Sequence, residues 1–234
     1  MRQVNRKEKK FLMDAASAKK LEALLGEVLQ ADSHNSDGDG NGYRIRTLYF
    51  DTLHDRDYAE KLMGYDPRRK VRLRIYDPSS DFALLELKQK QVDNQVKRSL
   101  PLNRQEAESL IERDYQFLLK RPEPFAAEIH AFMYINGYRP KTIVEYNRMA
   151  FLAKENKIRL TLDRNIRATE SSVNLFDEHL CLYPVFEPFN VVLEVKFNGF
   201  LLSYIKDLLS MVDKSEISVS KYCLARAIRL GFQF

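Results

Sequence analysis

An α+β fold built on a closed eight-stranded antiparallel β-barrel, with helices around it and across one end, is what this 234-residue sequence predicts. Three observations lead there. Eight segments carry β-rich composition or strict period-2 alternation. Several neighbours are joined by short polar turns such as Asp77-Pro78-Ser79-Ser80, which suit antiparallel hairpins. The intervening segments place apolar residues at helical spacing. Eight antiparallel strands suffice to close a small barrel, and closure removes the exposed sheet edges.

In order, strands are expected at 3–12, 43–51, 69–77, 82–90, 95–102, 141–153, 156–164 and 190–198. Residues 15–30 read as a helix with Leu21, Leu24, Leu25, Val28 and Leu29 on one face. Residues 104–120 read as another, carrying Ala107, Leu110, Ile111 and Leu118. Two prolines introduce a short helix at 123–136, and 199–212 and 218–230 supply two more. Ser33 to Gly42, SHNSDGDGNG, reads as a mobile connection. Its Asp37, Asp39 and Asn41 are not followed by the glutamate that completes a calcium loop. The chain 1–234 is expected to form a single domain.

Composition narrows the function classes. Hydrophobic residues make up 44% of the chain, enough for a core, and no run of about 18 apolar residues spans a membrane. The start, MRQVNRKEKKFLMD, lacks the apolar centre of a secretion signal. Cys181 and Cys223 both sit among apolar neighbours and read as buried reduced thiols, which points to the cytoplasm. The net charge of +5 is a mild excess that fits any anionic ligand and does not demand nucleic acid.

The informative feature is charge repeated every second residue inside strands. Arg72 and Arg74 share a face opposite Val71, Leu73 and Ile75. Glu86 and Lys88 oppose Leu85 and Leu87; Glu194 and Lys196 oppose Leu193, Val195 and Phe197. Arg159, Thr161 and Asp163 oppose Ile158, Leu160 and Leu162. Arg6, Glu8 and Lys10 share one face, as do Lys97 and Ser99. For one strand this is an apolar face inward and a charged face in water. For the set, the amphipathic helices need an apolar surface to pack on. If the apolar faces turn toward the helices, the charged faces line the interior. Isolated buried charges cost several kcal/mol each, so such an interior must be a wet channel that meets a long, dense anion. A polyphosphate or a nucleoside triphosphate has that chemistry. Cations pointing into a narrow channel exclude a nucleic-acid duplex.

Short motifs follow one another along the chain: Arg6-Lys7-Glu8-Lys9-Lys10-Phe11, Leu48-Tyr49-Phe50-Asp51-Thr52, Arg72-Leu73-Arg74, Glu86-Leu87-Lys88 and Lys97-Arg98. They continue through Tyr146-Asn147-Arg148, Ile158-Arg159-Leu160-Thr161-Leu162-Asp163, Leu193-Glu194-Val195-Lys196 and Ser220-Lys221-Tyr222. In the order and spacing of these motifs the chain resembles the VTC domain, the polyphosphate polymerase module of the triphosphate tunnel metalloenzyme superfamily. The resemblance implies that Lys10, Arg72, Arg74, Lys88, Lys97, Arg148 and Arg159 bind the phosphate chain. Arg can bridge two phosphate oxygens where Lys adds a point charge. Glu194 matches the metal ligand, with Mn²⁺ or Mg²⁺ as the ion. Lys196 and Ser220 are expected to contact phosphate, and Lys221 to lie near the transferred phosphoryl group. Lys221, Arg159 and Glu194 are the implied catalytic set.

In one respect the chain departs from the tunnel hydrolases. Many open with two glutamates and a lysine at alternate positions; here the first is Arg6, leaving Glu8 and Lys10. Glu8 is therefore a second candidate metal ligand or a salt-bridge partner, and Glu86 reads more readily as a salt bridge. The implied reaction transfers the terminal phosphate of ATP to a growing polyphosphate chain. Hydrolysis of tripolyphosphate or a nucleoside triphosphate, and polyphosphate binding without catalysis, are the alternatives. His34, His54, His130 and His179 fall outside the strand faces, so no histidine offers a general base, which favours the polymerase. Relatives join this domain to membrane segments that this sequence does not encode, so a separate membrane partner is compatible with it.

Overall fold

The structure, a computed structural model, describes residues 6–36, 41–91, 94–218 and 220–229. In chain order the elements are β1 (Arg6–Asp14), α1 (Ala15–Val28), β2 (Gln30–Ala31), β3 (Tyr43–Asp51), α2 (Arg56–Leu62), β4 (Arg68–Ile75), β5 (Phe82–Gln91) and β6 (Asn94–Asn103). There follow α3 (Arg104–Ile111), α4 (Pro124–Ile135), β7 (Arg139–Ala153), β8 (Ile158–Thr169), β9 (Tyr183–Pro184), β10 (Asn190–Asn198), α5 (Ser203–Ser210), β11 (Ser215–Glu216) and α6 (Lys221–Arg229). The mixed α+β class and the positions of the long strands agree with the sequence expectation.

The strands form one large sheet in the order β11-β1-β10-β8-β7-β3-β4-β5-β6, with β2 on β7 and β9 on β8. Closure into a barrel is not part of this pairing. The path has two ends, β11 and β6. The outer edge of β1 is taken at Phe11 and Leu12 by β11, which fills the backbone groups that a closing strand would use there.

By its contacts the chain divides into two compact units. The first comprises 1–44, 146–167 and 184–220, the second 45–145, 168–183 and 221–234, and β3, β7 and β8 each continue from one into the other. In the first unit, one face of the sheet offers Met13, Met149, Phe151, Ile158, Leu160, Leu162, Leu193 and Val195. Against it pack Ala18, Leu21 and Leu25 of α1 with Ile205 and Leu209 of α5. Each buried leucine contributes roughly 1.5–3 kcal/mol. Asp14 starts α1 by accepting from the Ser17 amide at 2.8 Å. Gly42 has φ +81°, and any side chain there would run into the Arg148 carbonyl. The glycine thus lets the chain pass against a site strand.

In the second unit, Leu48, Phe50, Val71, Leu73, Ile75, Leu85, Leu87, Leu100 and Leu102 face Ala107, Leu110, Leu118, Ala126, Ile129 and Met133. The helices α3 and α4 therefore cover the apolar face. A capping box, Asn103 with Glu106, begins α3.

Several expectations need correction. The helix expected over 104–120 stops at Ile111 and resumes as a 3₁₀ turn at Gln116–Lys120. Arg113 adopts φ 71° there. The Asp114 amide bonds to Ser109 O at 2.9 Å and the Arg113 amide to Leu110 O at 3.2 Å, a Schellman stop with arginine where glycine is usual. The helix α2 was not anticipated. Val28 lies off the core face of α1 and is exposed. Cys181 is exposed and only Cys223 is buried; both are free thiols. Within the Ser33–Gly42 stretch, Ser33–Ser36 form a 3₁₀ turn, while Asp37 and Asp39 lie outside the described residues. Residues 3–5 of the first expected strand and residues 219 and 230 of the last expected helix also lie outside them. Among the described residues no helix is long and apolar enough to cross a membrane.

Candidate functional site

On the second unit, the face opposite α3 and α4 carries the charges. Antiparallel register sets them in rows. Arg72 pairs with Glu86 and Glu86 with Ser99; Lys70 pairs with Lys88 and Lys88 with Lys97; Arg68 pairs with Lys90. Cross-strand partners point to the same face, so Arg68, Lys70, Arg72, Arg74, Lys88, Lys90 and Lys97 share it, with Glu86 as their carboxylate. Glu86 is fully buried. It accepts from Arg72 Nε at 2.6 Å and Lys97 Nζ at 2.6 Å, with Arg74 Nη2 3.6 Å away. Burial alone would push its carboxyl up, but Arg72, Arg74 and Lys97 outweigh that and hold it at about 2.

Arg72 and Arg74 are only 9% exposed, so these side chains do not stand on an outer solvated face. Arg74 Nε is buried with no hydrogen-bond partner among the described residues. A guanidinium nitrogen in that state is costly unless something accepts from it. The register thus gathers several like charges on one face, with Glu86 meeting Arg72, Arg74 and Lys97. Lys70 and Lys90 escaped the sequence reading; their signal was the same period-2 register extended one step along β4 and β5.

The helix α6 is fastened to this unit through β3. Tyr49 pairs with Arg72 across β3 and β4, so its ring lies on the charged face. The Tyr222 ring stacks on Tyr49 with centroids 5.2 Å apart, and its hydroxyl donates to Asp51 Oδ2 at 2.6 Å. Asp51 is fully buried and also accepts from the amides of Thr52, Asp57 and Tyr58 at 2.7, 2.9 and 3.0 Å. It thereby starts α2, whose preceding residue Asp55 is left-handed (φ 56°) and does not cap it. Arg226 instead donates twice to Asp55, at 2.8 Å each. Burial, then Asp51, pushes the Tyr222 phenol far above its usual range, so the proton stays on the tyrosine. Lys221 opens α6 and is half-buried. Asp57 is buried beside Asp51, which together push its carboxyl up to about 7, against a hydrogen bond from Tyr138.

On the first unit the charged face alternates in sign. Lys10 pairs with Glu194 and Glu194 with Thr161; Glu8 pairs with Lys196 and Lys196 with Arg159. Lys196 Nζ contacts Glu194 Oε1 and lies 4.0 Å from Glu8 Oε2, while Lys10 meets Glu8 at 3.1 Å. Arg148 is held by Asp163, with Nε and Nη2 donating at 2.6 and 2.8 Å, and lies 3.9 Å from Glu194. Burial would lower its pKa, but Asp163, Tyr146 and Glu194 raise it well above the usual arginine range. Asp163 is fully buried, and its part as the partner that fixes Arg148 was not legible beforehand. Arg159 meets Asp32 at 3.0 Å and Tyr43 Oη at 3.1 Å, leaving a buried Nε with no partner among the described residues. Ser220 is buried, and Lys88 is half-buried in its row. The side chain of Arg6, at the head of β1, lies outside the described residues.

The donors fit a hard divalent ion that leans on its ligand. Among the described residues no cluster of three or more His, Cys, Asp and Glu could hold a metal unaided. Glu194 and Glu8 nevertheless converge on one cation, the Lys196 ammonium, and Thr161 Oγ1 is buried beside Glu194 without a hydrogen-bond partner among the described residues. An ion held there by Glu194 and Glu8 would need further oxygens from phosphate and water.

The family model described as the VTC domain matches residues 5–229. No curated protein matches the chain. Among solved structures, a candidate adenylyl cyclase from Hippeastrum, described as having a dominant triphosphatase activity, is 14% identical with a TM-score of 0.58, covering 94% of each chain. A candidate adenylate cyclase from Bacillus halodurans is 15% identical over 88% of each chain with a TM-score of 0.49. At 14% identity the likeness to the Hippeastrum protein is one of fold. The family match runs along nearly the whole chain and takes in every charged strand described above: this chain belongs to the VTC-domain family.

Proposed function

We propose that the chain acts as one domain that transfers the terminal phosphate of ATP to the end of a polyphosphate chain, with Mn²⁺ or Mg²⁺ as cofactor. The observation that carries this reading is the cationic face of the second unit, where Arg74 keeps a buried Nε with no hydrogen-bond partner among the described residues and the register gathers Lys70, Arg72, Lys88 and Lys97 beside it. A polyanion supplies acceptor oxygens and negative charge to such a face. Arg72, Arg74, Lys88 and Lys97 grip phosphate oxygens, and Glu86 keeps the two arginines extended along the face. Arg159, Lys10 and Lys196 serve the same chemistry on the first unit, and Arg148, its fork filled by Asp163, supplies fixed positive charge near Glu194. Glu194, with Glu8, holds the ion, which when bound offsets charge on the transferring group. Lys221 stabilises charge that moves during transfer, and Ser220 hydrogen-bonds phosphate beside it.

A triphosphatase uses the same grip with water as acceptor, and the fold shared with the Hippeastrum protein favours that second reading. Incubation with ATP and Mn²⁺, with products resolved on a gel, separates the outcomes. A ladder of long phosphate chains supports the polymerase. Orthophosphate and ADP alone identify a hydrolase. Tight polyphosphate binding with neither product leaves a binding module.

A further inference from the structure

We propose that Asp51 and Tyr222 are a positioning pair, seconded by Asp55 and Arg226, which bolts α6 onto the cationic face and so sets where Lys221 meets the phosphate chain. The inference rests on the phosphate-binding reading above and adds to it the residues that place its moving-charge lysine.

The geometry comes first. Asp51 and Tyr222 are 171 residues apart in sequence yet share a 2.6 Å hydrogen bond. Tyr222 is 1% exposed and wedged between rings, stacked on Tyr49 at 5.2 Å and edge-on to Tyr58 at 6.2 Å. Tyr49 lies on the face of Arg72, its cross-strand partner, so this stack brings the first turn of α6 to the cationic rows themselves. The second bolt lies one helical turn on. Arg226 follows Tyr222 by four residues, as Asp55 follows Asp51, and the two carboxylates meet the two α6 residues in matching order. Lys141 approaches Asp55 at 2.7 Å and helps to hold it.

The polarity of the first bolt is locked. Asp51 takes three backbone amides besides the phenol, so its carboxylate is fixed by α2 as well as by α6. The Tyr222 proton stays on oxygen, so the bond always runs from tyrosine to aspartate. Lys221 is the neighbouring residue, about 100° around the helix from Tyr222. Rotation or lifting of the first turn would carry its amine with it. Neither Asp51 nor Tyr222 has to touch phosphate; both act through Lys221.

Tyr222→Phe keeps the ring stack and deletes the hydrogen bond. Two readouts apply besides turnover: hydrogen exchange of the 221–229 amides, and protection of the Lys221 amine from an acylating reagent by tripolyphosphate. In the parent protein tripolyphosphate should shield Lys221. In Tyr222→Phe, exchange in α6 should quicken by about 10- to 100-fold, the size expected for losing one buried hydrogen bond to a charged acceptor. Shielding of Lys221 should fall away, while tripolyphosphate affinity stays within about threefold because Arg72 and Arg74 still bind it. The rate of phosphoryl transfer should drop by about tenfold or more with KM little changed. Arg226→Gln, which leaves Asp51 and its amides intact, should give the same pattern more weakly, and it serves if Tyr222→Phe does not fold. Unchanged exchange and shielding in both variants would overturn the proposal. So would a parent protein that binds tripolyphosphate yet leaves Lys221 equally reactive. A parent that shields Lys221 but turns over no triphosphate with any metal ends the transfer reading alone; the shielding lost in Tyr222→Phe then still upholds the positioning pair.

Discussion

Glu86→Gln should make the protein less stable and better at binding polyanions. The carboxylate is fully buried and serves three cations, Arg72, Arg74 and Lys97. Its pKa of about 2 in the folded chain, against an ordinary 4.5, is a stability statement. A group held below its unfolded value stabilises fully above pH 4.5 and loses that contribution as pH falls through about 2. At about 1.4 kcal/mol per unit, the difference is on the order of 3 kcal/mol at neutral pH. For a domain of this size that corresponds to roughly 6–12 °C in Tm. The amide side chain keeps the shape and leaves two guanidinium groups beside it short of a counter-charge, as a broken buried pair does. Tripolyphosphate brings in negative charge that replaces the lost carboxylate. Calorimetric unfolding with and without tripolyphosphate tests both halves. The Tm gap between parent and variant should be large without ligand and should shrink as ligand is added, with a tighter Kd for the variant. A variant that melts within about 2 °C of the parent and binds no better would refute the view of Glu86 as the counter-ion that holds Arg72, Arg74 and Lys97 together.

Lys88→Ala removes one cation from the face that also carries Lys70 and Lys97, so tripolyphosphate Kd, measured by calorimetric titration, should weaken by about tenfold. Glu194→Gln should cut metal-dependent turnover by about 100-fold or more and leave metal-free polyphosphate binding unchanged or tighter, as gel and titration assays would show. If turnover persists, Glu8 becomes the ligand to replace next. Asp57 carries the opposite pH signature from Glu86. With its pKa raised to about 7, folding loses stability as pH rises from about 4 to 7, on the order of 4 kcal/mol in total. Asp57→Asn should therefore raise Tm at pH 8 and flatten its pH dependence between pH 5 and 8, in a series of melts across that range.

The two faces of each strand were legible from the residues alone, because side chains alternate with period two whatever the chain does elsewhere. Val71, Leu73 and Ile75 against Arg72 and Arg74 need no tertiary information to be told apart, and the need of the helices for an apolar partner put the charged side away from them. The candidate phosphate and metal residues followed from that alternation and from ordered family motifs. Local exceptions were hidden. Arg113 ends α3 in a left-handed conformation that favours glycine, and Asp55, a usual N-cap residue type, enters α2 left-handed and makes no cap hydrogen bond.

What only the tertiary structure decided is partnership. Whether a charge sits beside its opposite or its like depends on register between strands far apart in sequence, and a slip of one residue would exchange the faces. Register made Glu86 a hub, aligned Lys70 with Lys88 and Lys97, and brought Lys196 between Glu194 and Glu8. Folding gave Arg148 to Asp163 and left Arg74 with a buried Nε that has no hydrogen-bond partner among the described residues. The joining of Tyr222 to Asp51 has no local signal at all. Both residues lie in motifs quoted from the sequence, but a hydrogen bond across 171 residues exists only once the fold has brought its two ends together. Alternation is a property of one strand and can be read one strand at a time; a pair of charges belongs to two, and its energy turns on a distance that the sequence does not contain.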